Sequence, residues 1–322
     1  MKKTITVVIP TYNEELNIRA AYERVNGIFS SELADYNMEI LFIDNASTDR
    51  SRAIIEALCG QDQRVQAIFN ATNFGFSRSS YYGLSQAEGD CAVMLYADMQ
   101  DPPEVIPQFV AKWEEGYKVV TGIKSQSKEN PLMYIVRGIY YKILSKISET
   151  EHIQQFDGFG LYDASFVKLL RKMKDPLPYL RGLVAEYGCR RPGIGEGAGI
   201  QEKRKAGKTS FNFARYYDVA MLGLTSSTKA IMRMATFLGV IMAGICFLIA
   251  IITVIMKLVN WNYYDVGTAA IIAGIFFVGA VQIFFLGFLG EYILNINIRV
   301  MQHPIVVEER RINLRRSCDD QE

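Results

Sequence analysis

Short apolar runs alternate with stretches of helical periodicity along the first half of this 322-residue chain. Strands buried on both faces form such runs, and helices between them cover the sheet, so the pattern is typical of a doubly wound α/β domain with parallel strands. We expect this domain to end near residue 200. The predicted strands span residues 5–9, 38–43, 65–69, 91–97 and 118–122, and the predicted helices span residues 15–29, 49–58 and 78–87.

The second half of the chain contains two long segments without charged side chains. No Asp, Glu, Lys or Arg occurs between Arg233 and Lys257 or between Asp265 and Glu291, and these segments have 23 and 25 residues. About 20 apolar residues are enough for a helix to cross a bilayer. A pair of buried core helices is the alternative, although soluble cores rarely contain such segments. We therefore predict a two-helix transmembrane hairpin over residues 234–290.

Basic residues ahead of the first predicted span indicate its orientation. Between residues 203 and 233, seven basic residues accompany one acidic residue, Asp218. Because basic residues accumulate on the cytoplasmic side, both termini are expected in the cytoplasm, including a C-terminal tail at 291–322. Residues 201–233 are predicted to form juxtamembrane amphipathic helices, and residues 131–148 an amphipathic helix that lies on the membrane or packs on the domain. The basic residues are Lys203, Arg204, Lys205, Lys208, Arg215, Lys229 and Arg233.

Charge and cysteine usage narrow the class of protein. The formal net charge is +1, which does not favour a nucleic-acid-binding protein. The five cysteines show no metal-ligand spacing and are interpreted as reduced thiols. With His152 and His303 as the two histidines, neither a zinc site nor a Ser-His-Asp triad is favoured. A metal ion bound to this protein is therefore expected to have oxygen ligands.

A candidate for such a metal site follows the apolar run at 91–97. Asp98 and Gln100 come directly after this run, and a Pro-Pro pair then ends the predicted strand. On an extended chain alternate side chains point the same way, so Asp98 and Gln100 would face one Mg²⁺ or Mn²⁺ ion, with Met99 turned away. The alternative is an ordinary strand end with a solvated Asp and a proline turn.

Polar segments also follow the first two predicted strands. Residues 10–15 read Pro-Thr-Tyr-Asn-Glu-Glu and residues 43–49 read Ile-Asp-Asn-Ala-Ser-Thr-Asp. Open α/β sheets bind nucleotides at the carboxyl ends of their strands, so these side chains are expected to converge there, with Asp44 accepting hydrogen bonds from a base or ribose. Ser47 and Asp49 are assigned first to capping the following helix. The sequence lacks the glycine-rich fingerprints of dinucleotide-binding and P-loop proteins.

Taken in order, these segments resemble those of the family 2 glycosyltransferases, and among them the polyprenyl-phosphate glycosyltransferases of the bacterial branch with two transmembrane helices. The resemblance covers nearly the whole chain and implies a GT-A-like catalytic domain over residues 1–200. The segments that carry it are Pro10-Thr-Tyr-Asn-Glu-Glu, Ile43-Asp-Asn-Ala-Ser-Thr-Asp, Asn73-Phe-Gly, Gly83, Gly89-Asp90, Ala97-Asp-Met-Gln-Asp-Pro-Pro, Arg137, Phe156-Asp-Gly-Phe and Arg204-Lys-Ala-Gly-Lys-Thr-Ser.

The resemblance also implies roles for individual residues. Asp98 and Gln100 would ligate a Mg²⁺ or Mn²⁺ ion on the diphosphate of the donor. Asp157 would be the carboxylate beside the acceptor, as a base or an orienting group, with a loop-capping Asp as the alternative. Arg137 and Arg204 would contact the phosphate of the lipid acceptor. The nucleotide would be held by Pro10, Tyr12, Glu14 and Asp44.

Three positions depart from the pattern of the family. Tyr96 and Asn45 stand where the family usually has Asp, and Gly160 stands where it usually has Arg. The missing carboxylate at position 96 would remove one metal contact, either direct or through water, that the family pattern provides. Gly160 removes a cation near the acceptor, which Lys124 or Arg137 would have to supply. We expect these changes either to impair catalysis or to alter selectivity.

The expected reaction is the transfer of one hexose from a UDP-sugar to polyprenyl (undecaprenyl) phosphate at the cytoplasmic face of the bacterial inner membrane, for modification of the cell envelope. A dication would stabilise the charge that develops on the departing UDP, and in-line attack by the acceptor phosphate predicts inversion at the anomeric carbon.

Two alternatives to this reaction stay open. One is a processive polysaccharide synthase, although the Gln-x-x-Arg-Trp segment of such enzymes is absent from the sequence. The other is a non-catalytic membrane scaffold or lipid translocation partner. The oligomeric state is open as well, although copies of two-span anchors pack through small residues. The small residues in question are Gly239, Gly244, Gly287 and Gly290.

Overall fold

A mixed β-sheet with helices on both faces forms the centre of the protein. The computed structural model describes residues 2–124, 156–173, 175–176, 178–188, 194–199, 255, 259, 268–301 and 303–314. The strands are β1 (Thr4–Thr11), β2 (Asn37–Asp44), β3 (Val65–Asn70), β4 (Cys91–Met94), β5 (Val119–Lys124), β6 (Gly160–Asp163), β7 (Ile194–Gly199) and β8 (Glu308–Ile312). The helices are α1 (Ile18–Ser31), α2 (Ser51–Gln61), α3 (Phe76–Ser85), α4 (Ile106–Glu114), α5 (Ala164–Lys172), α6 (Leu180–Leu183) and α7 (Thr268–Val300). The order of the strands across the sheet is β7-β5-β6-β4-β1-β2-β3-β8.

The first four strands form the parallel centre of the sheet. β1 pairs in parallel with β2 and β4, and β2 pairs in parallel with β3. Side chains on both faces are buried: Ile5 and Val7 belong to one hydrophobic cluster, whereas Val8 and Leu41 belong to the other. Because helices cover both faces, these strands are almost continuously apolar. The predicted doubly wound arrangement of this part is confirmed.

The edges of the sheet contain strands that the hydrophobic pattern did not predict. β6 pairs antiparallel with β4 and β5, and β5 pairs in parallel with β7. At the opposite edge β8 pairs antiparallel with β3. Since β8 comes from the segment predicted as a C-terminal tail, the sheet includes residues from two segments that the sequence analysis separated. The strand predicted at 91–97 is shorter than expected and ends at Met94.

The three helices predicted in the first half are present, with later starts in two cases. α1 begins at Ile18 rather than residue 15, and α2 begins at Ser51 rather than residue 49. α3 lies so close to the sheet that a Cβ atom added at Gly83 would be 2.8 Å from Cγ2 of Ile43. The helices α4 and α5 were not predicted.

The second charge-free segment overlaps a helix, α7, whereas the first span at 234–256 lies outside the described residues apart from Ile255. The predicted amphipathic helices at 131–148 and 201–233 also lie outside them. Judged on the described residues alone, no helix is both long enough and apolar enough to cross a membrane. The two membrane spans therefore stay predictions from the sequence.

Candidate active site

The carboxyl ends of β1 and β2 lie side by side. In the register of this pair Pro10 is opposite Ile43, and Thr11 is opposite Asp44. The backbone N–H of Asn45 then donates to the carbonyl oxygen of Thr11 at 2.9 Å. The structure therefore brings the two polar segments together at one edge, as expected. Their role in binding a nucleotide stays a prediction.

Hydrogen bonds join the two loops that follow these strands. The backbone N–H groups of Asn13 and Glu14 donate to the hydroxyl oxygens of Ser47 and Ser51, at 2.9 Å in each case. The predicted helix cap at Ser47 is therefore wrong, because its hydroxyl group serves the neighbouring loop. Asp49 does accept from the N–H of Ser51 at 2.9 Å, at the start of α2. The two loops therefore form one hydrogen-bonded unit.

Within this unit Tyr12 and Glu14 are partly buried, as is Pro10 at the end of β1. The Oε2 atom of Glu14 accepts a hydrogen bond from the side-chain amide of Asn17 at 2.6 Å. These three predicted nucleotide-binding residues thus lie together in the loop and strand end next to Asp44.

Backbone strain marks the same edge of the sheet. Asn13, Ala46 and Met99 have φ angles of 56°, 59° and 57°, in the left-handed region that residues with a side chain rarely adopt. They follow β1, β2 and β4 respectively. Such strained positions cluster at functional sites because the surrounding structure must hold them. Three of the four such residues in the described structure lie at these strand ends, and the fourth, Asn313, follows β8; this distribution supports a functional site at the three strand ends.

Asp44 is fully buried, and one of its oxygen atoms has no hydrogen-bond partner in the part of the chain that the structure describes. Its Oδ2 atom accepts from the N–H of Ser47 at 3.1 Å and lies 3.3 Å from Nε of Arg52. Its Oδ1 atom has no hydrogen-bond partner among the described residues. Burial raises the pKa of Asp44 above its ordinary value, whereas hydrogen bonds from Ser47 and the charge of Arg52 act in the opposite direction. A buried acceptor left open in this way suits a donor group of a ligand.

Asn45 uses both ends of its side-chain amide. Its Oδ1 atom accepts from Nδ2 of Asn70 at 3.1 Å and from the N–H of Phe74 at 3.0 Å. Its Nδ2 atom donates to Oδ1 of Asn73 at 2.9 Å. An ionised Asp has no donor for this last bond. The departure from the family at position 45 therefore fits the local hydrogen-bond network.

The segment after β4 turns instead of continuing as a strand. Met99 has a positive φ angle, its N–H donates to the carbonyl oxygen of Tyr96 at 3.3 Å, and the N–H of Gln100 donates to Oδ1 of Asp98 at 3.2 Å. The prediction that Asp98 and Gln100 alternate on an extended chain is wrong, because the chain turns between them. Met99 is nevertheless buried, while Asp98 and Gln100 are partly exposed.

This turn offers few ligands for a metal ion. In the part of the chain that the structure describes, no group of three or more His, Cys, Asp or Glu side chains is placed to hold a metal. Asp98 and Gln100 provide two oxygen-bearing side chains. Mg²⁺ is commonly held by one or two carboxylates together with substrate phosphates and water. The available residues therefore fit an ion that binds together with a diphosphate.

Tyr96 connects the turn after β4 to Asp157. The hydroxyl group of Tyr96 donates to the carbonyl oxygen of Asp157 at 2.9 Å, and the hydroxyl group of Tyr162 donates to that of Gly158 at 2.7 Å. Oδ1 of Asp157 accepts from the N–H of Phe159 at 3.1 Å. Asp157 thus caps its own turn, as the structural alternative predicted, and the turn lies next to the end of β4.

The chemistry of Tyr96 differs from that of the Asp it replaces. Burial raises the pKa of Tyr96 well above its ordinary value, and the charge of Asp157 adds to the rise. The hydroxyl group is therefore protonated at neutral pH and is engaged with the carbonyl oxygen of Asp157. Through this hydrogen bond Tyr96 links two loops of the site.

Gly160 has no room for the Arg that the family usually has there. A Cβ atom at this position would overlap the carbonyl oxygen of Val120 on β5. The predicted substitutes are not described in the structure: Arg137 lies outside the described residues, and the side chain of Lys124 is not described. Arg204, the other predicted contact of the lipid phosphate, also lies outside them.

Arg181 is a cation near this turn that the sequence analysis missed. Its charge lowers the pKa of the hydroxyl groups of Tyr96 and Tyr162, against the effect of burial. The neighbouring Leu180 side chain is 3.7 Å from a Cβ atom built on Gly158, so α6 lies against the turn. Its sequence context, a short helix after a proline-rich segment, gave no signal for a site residue.

Comparison with known proteins identifies the class. The family model described as "Glycosyl transferase family 2" matches residues 6–174, which is more than half of the 322 residues. The chain therefore belongs to glycosyltransferase family 2. The predicted family and the prediction of an enzyme are confirmed.

The similar proteins include several with a lipid acceptor in their names. The SfII prophage-derived bactoprenol glucosyl transferase of Shigella flexneri is 31% identical over 301 residues, which cover 93% of this chain and 96% of that protein. The prophage bactoprenol glucosyl transferase homolog of Escherichia coli K12 is 29% identical over 307 residues, with coverages of 95% and 98%. These names agree with the polyprenyl-phosphate type that the sequence resembles.

Two solved structures have related folds at low similarity. Mannosyl-3-phosphoglycerate synthase from Rubrobacter xylanophilus has a TM-score of 0.49 and 12% identity, with coverage of 74% of this chain and 75% of that one. The mannosyltransferase PcManGT from Pyrobaculum calidifontis, in complex with GDP-Man and Mn²⁺, has a TM-score of 0.44 and 15% identity, with coverages of 70% and 63%. At these scores the likeness carries no argument about ligands.

Proposed function

We propose that this glycosyltransferase moves a single hexose from a UDP-sugar to polyprenyl phosphate, with inversion at the anomeric carbon. The observation that carries the donor half of the proposal is the buried carboxylate of Asp44 at the junction of β1 and β2, whose Oδ1 atom accepts no hydrogen bond from the described residues. The acceptor half is supported by the names of the bactoprenol glucosyl transferases, which match this chain over 93% of its length.

In the proposed donor complex, Asp44 accepts a hydrogen bond from the base. Pro10, Tyr12 and Glu14, at the end of β1 and in its loop, would contact the nucleotide next to Asp44. Asp98 and Gln100 would hold a Mg²⁺ or Mn²⁺ ion against the diphosphate, where a dication neutralises the charge of the leaving group.

The acceptor phosphate is the proposed nucleophile. The second pKa of a phosphate monoester is near ~6, so the group is largely ionised at neutral pH and needs little deprotonation. Asp157 orients the acceptor or takes its remaining proton. Arg181 is a cation near Asp157 and is proposed to contact the acceptor phosphate. Arg137 and Arg204 are proposed to contact the same phosphate. Such cations place an anionic nucleophile for in-line attack.

Membrane attachment is part of the proposal because a polyprenyl phosphate stays in the bilayer. The active site must therefore come to the membrane surface. The two charge-free segments and the basic residues ahead of the first one support a two-span hairpin with the catalytic domain and both termini in the cytoplasm. On this basis we assign the enzyme to the bacterial inner membrane.

The test is a reconstitution with detergent-purified protein. Each UDP-hexose is incubated with polyprenyl phosphate and Mg²⁺ or Mn²⁺, and the lipid product is measured by mass spectrometry. We expect a product with one hexose per lipid, formed from one donor and abolished by a chelator. Products with many hexoses per lipid would favour a processive synthase, and no product with any UDP-hexose would contradict the proposal.

Two substitutions test the assigned residues in the same assay. Asp98→Ala is expected to abolish turnover, since it removes the one carboxylate of the proposed ion site. Asp157→Asn is expected to slow turnover and leave UDP binding intact. Glu56→Gln, on the outer surface of α2, is the control and keeps the rate of the unmodified enzyme. An unchanged rate in Asp98→Ala or Asp157→Asn would refute the corresponding role.

A further inference from the structure

The C-terminal strand β8 is fixed to the domain just outside both of its ends. Before it, the carbonyl oxygen of Val307 accepts from the N–H of Ala71 at 2.9 Å. After it, the side-chain amide of Asn313 donates to the carbonyl oxygens of Cys59 and Val65, each at 2.9 Å. These bonds attach β8 to the strand and helix that flank the end of β2. The strand is therefore held in a defined position, with β3 between it and Asp44.

A series of three charged side chains runs from β8 to Asp44, the residue proposed to bind the donor. Oε2 of Glu309 lies 2.6 Å from Nη2 of Arg52, and Nε of the same Arg52 lies 3.3 Å from Oδ2 of Asp44. The guanidinium group also lies 5.2 Å from the centre of the Phe69 ring. Exposure falls along this series, because the side chains of Glu309, Arg52 and Asp44 are 50%, 29% and 0% exposed. The series runs from the surface of β8 to the buried carboxylate.

Arg52 affects both the ionisation of the Asp44 carboxylate and the orientation of its two oxygen atoms. A buried carboxylate without a nearby cation tends to take up a proton, and a protonated Asp44 is a weaker acceptor for a base. The N–H of Ser47 and the ion pair with Arg52 both engage Oδ2, whereas Oδ1 accepts no hydrogen bond from the described residues. A long Arg side chain loses conformational freedom when it is held in one place, and the contact with Glu309 offsets this cost.

We propose that Arg52 and Glu309 are positioning residues for the nucleotide donor: Glu309 on β8 fixes Arg52, and Arg52 holds Asp44 ready to accept from the base. This inference rests on the proposed function, since it concerns binding of the UDP-sugar. It assigns part of the donor site to a strand that lies 257 positions from Arg52 along the chain. The ion pair between Glu309 and Arg52 then contributes to donor affinity, whereas the other contacts that attach β8 do not.

The chain provides a matched control on the same strand. Arg310 of β8 forms an ion pair with Glu56 of α2, so Glu56→Gln weakens the attachment of β8 without touching Arg52 or Asp44. Glu309→Gln removes one charge of the same sign from the other ion pair between β8 and α2. A purely structural role of β8 predicts equal effects of these two substitutions.

The experiment compares UDP binding and steady-state kinetics of the full-length variants in detergent with Mn²⁺. Exposed ion pairs contribute about 0.2–1 kcal/mol, so Glu309→Gln is expected to raise the dissociation constant of UDP and the donor KM by about 1.5- to 5-fold, with kcat unchanged. Arg52→Gln is expected to raise both by a larger factor, and Arg52→Lys to recover part of the loss. Glu56→Gln should match the unmodified enzyme.

Three results separate the possible outcomes. Equal UDP affinities of Glu309→Gln and Glu56→Gln, in a protein that binds UDP, would overturn the inference and leave the proposed function standing. An effect on kcat alone would also overturn it. If the unmodified enzyme does not bind UDP, the proposed function fails and the inference fails with it. Thermal unfolding without nucleotide shows whether Arg52→Gln folds. If this variant does not fold, Glu309→Gln still tests the inference, because Glu309 is exposed and its substitution is expected to be tolerated.

Discussion

Replacement of Tyr96 by Phe tests whether this hydroxyl group places Asp157 for catalysis. The substitution removes the single oxygen atom that donates to the carbonyl oxygen of Asp157 at 2.9 Å. The aromatic ring is retained, together with its contact with Phe76, where the ring centres are 5.3 Å apart. The change therefore removes one hydrogen bond and leaves the packing of the turn in place.

The size of the effect follows from the lost hydrogen bond. A neutral hydrogen bond contributes about 0.5–1.5 kcal/mol net. If the full free energy of this hydrogen bond stabilises the position of Asp157 in the transition state, its loss lowers kcat by about 2- to 13-fold. A free energy of 1.36 kcal/mol corresponds to a factor of ten in rate. Binding of UDP is expected to stay unchanged. The hydroxyl group of Tyr96 donates to Asp157, whereas Asp44 and the loop after β1 are hydrogen-bonded to Ser47.

The assay measures kcat with saturating donor and acceptor, and UDP affinity in parallel. Tyr81→Phe is the matched control, because the hydroxyl group of Tyr81 donates to the carbonyl oxygen of Leu170 at 2.7 Å in the core between α3 and α5. It is expected to lower stability by a similar amount and leave kcat unchanged. Normal kcat in Tyr96→Phe, or an equal fall in Tyr81→Phe, would refute the reasoning.

Three further predictions concern single side chains. Asp44→Asn is expected to weaken UDP binding by about 10-fold or more, because a hydrogen bond to a charged group contributes about 1.5–3 kcal/mol; an unchanged dissociation constant by calorimetry would count against it. Asn45→Asp removes the hydrogen bond from Nδ2 of Asn45 to Oδ1 of Asn73, which still accepts from the N–H of Gly75, and is expected to lower the free energy of unfolding by about 0.5–1.5 kcal/mol; equal unfolding curves would disprove this. Arg64 lowers the pKa of Asp62 from 3.8 to about 2, so the stabilisation is complete above pH 3.8 and is lost as the pH falls through 2. Asp62→Asn should flatten this part of the melting-temperature profile, and an identical profile would contradict the assignment.

The sequence was sufficient to predict the parallel centre of the sheet. Strands such as 5–9 and 38–43 are apolar because both faces are covered, and this burial is visible in the sequence. The strand β8 was not predictable in this way. It reads Glu-Glu-Arg-Arg-Ile and lies at an exposed edge, where charged residues are common and no hydrophobic alternation is required.

The candidate site was predicted in location but not in detail. The polar residues at strand ends follow from the general position of ligand sites in open α/β sheets. The relative orientation of Asp98 and Gln100 was not predicted, because a single positive φ angle at Met99 changes the direction of the chain. The roles of Tyr96 and Asn45 depend on partners 61 and 28 positions away, and a single sequence contains no record of such contacts.

The late position of β8 in the chain has a consequence for biosynthesis. The outer edge of β3 stays unpaired on the ribosome until residue 312 has been made, by which time most of the sheet has been synthesised. An open edge strand is a template for pairing with other chains, and pairings between distant segments form slowly. Nascent or prematurely ended products that stop before residue 308 therefore carry an adhesive β edge.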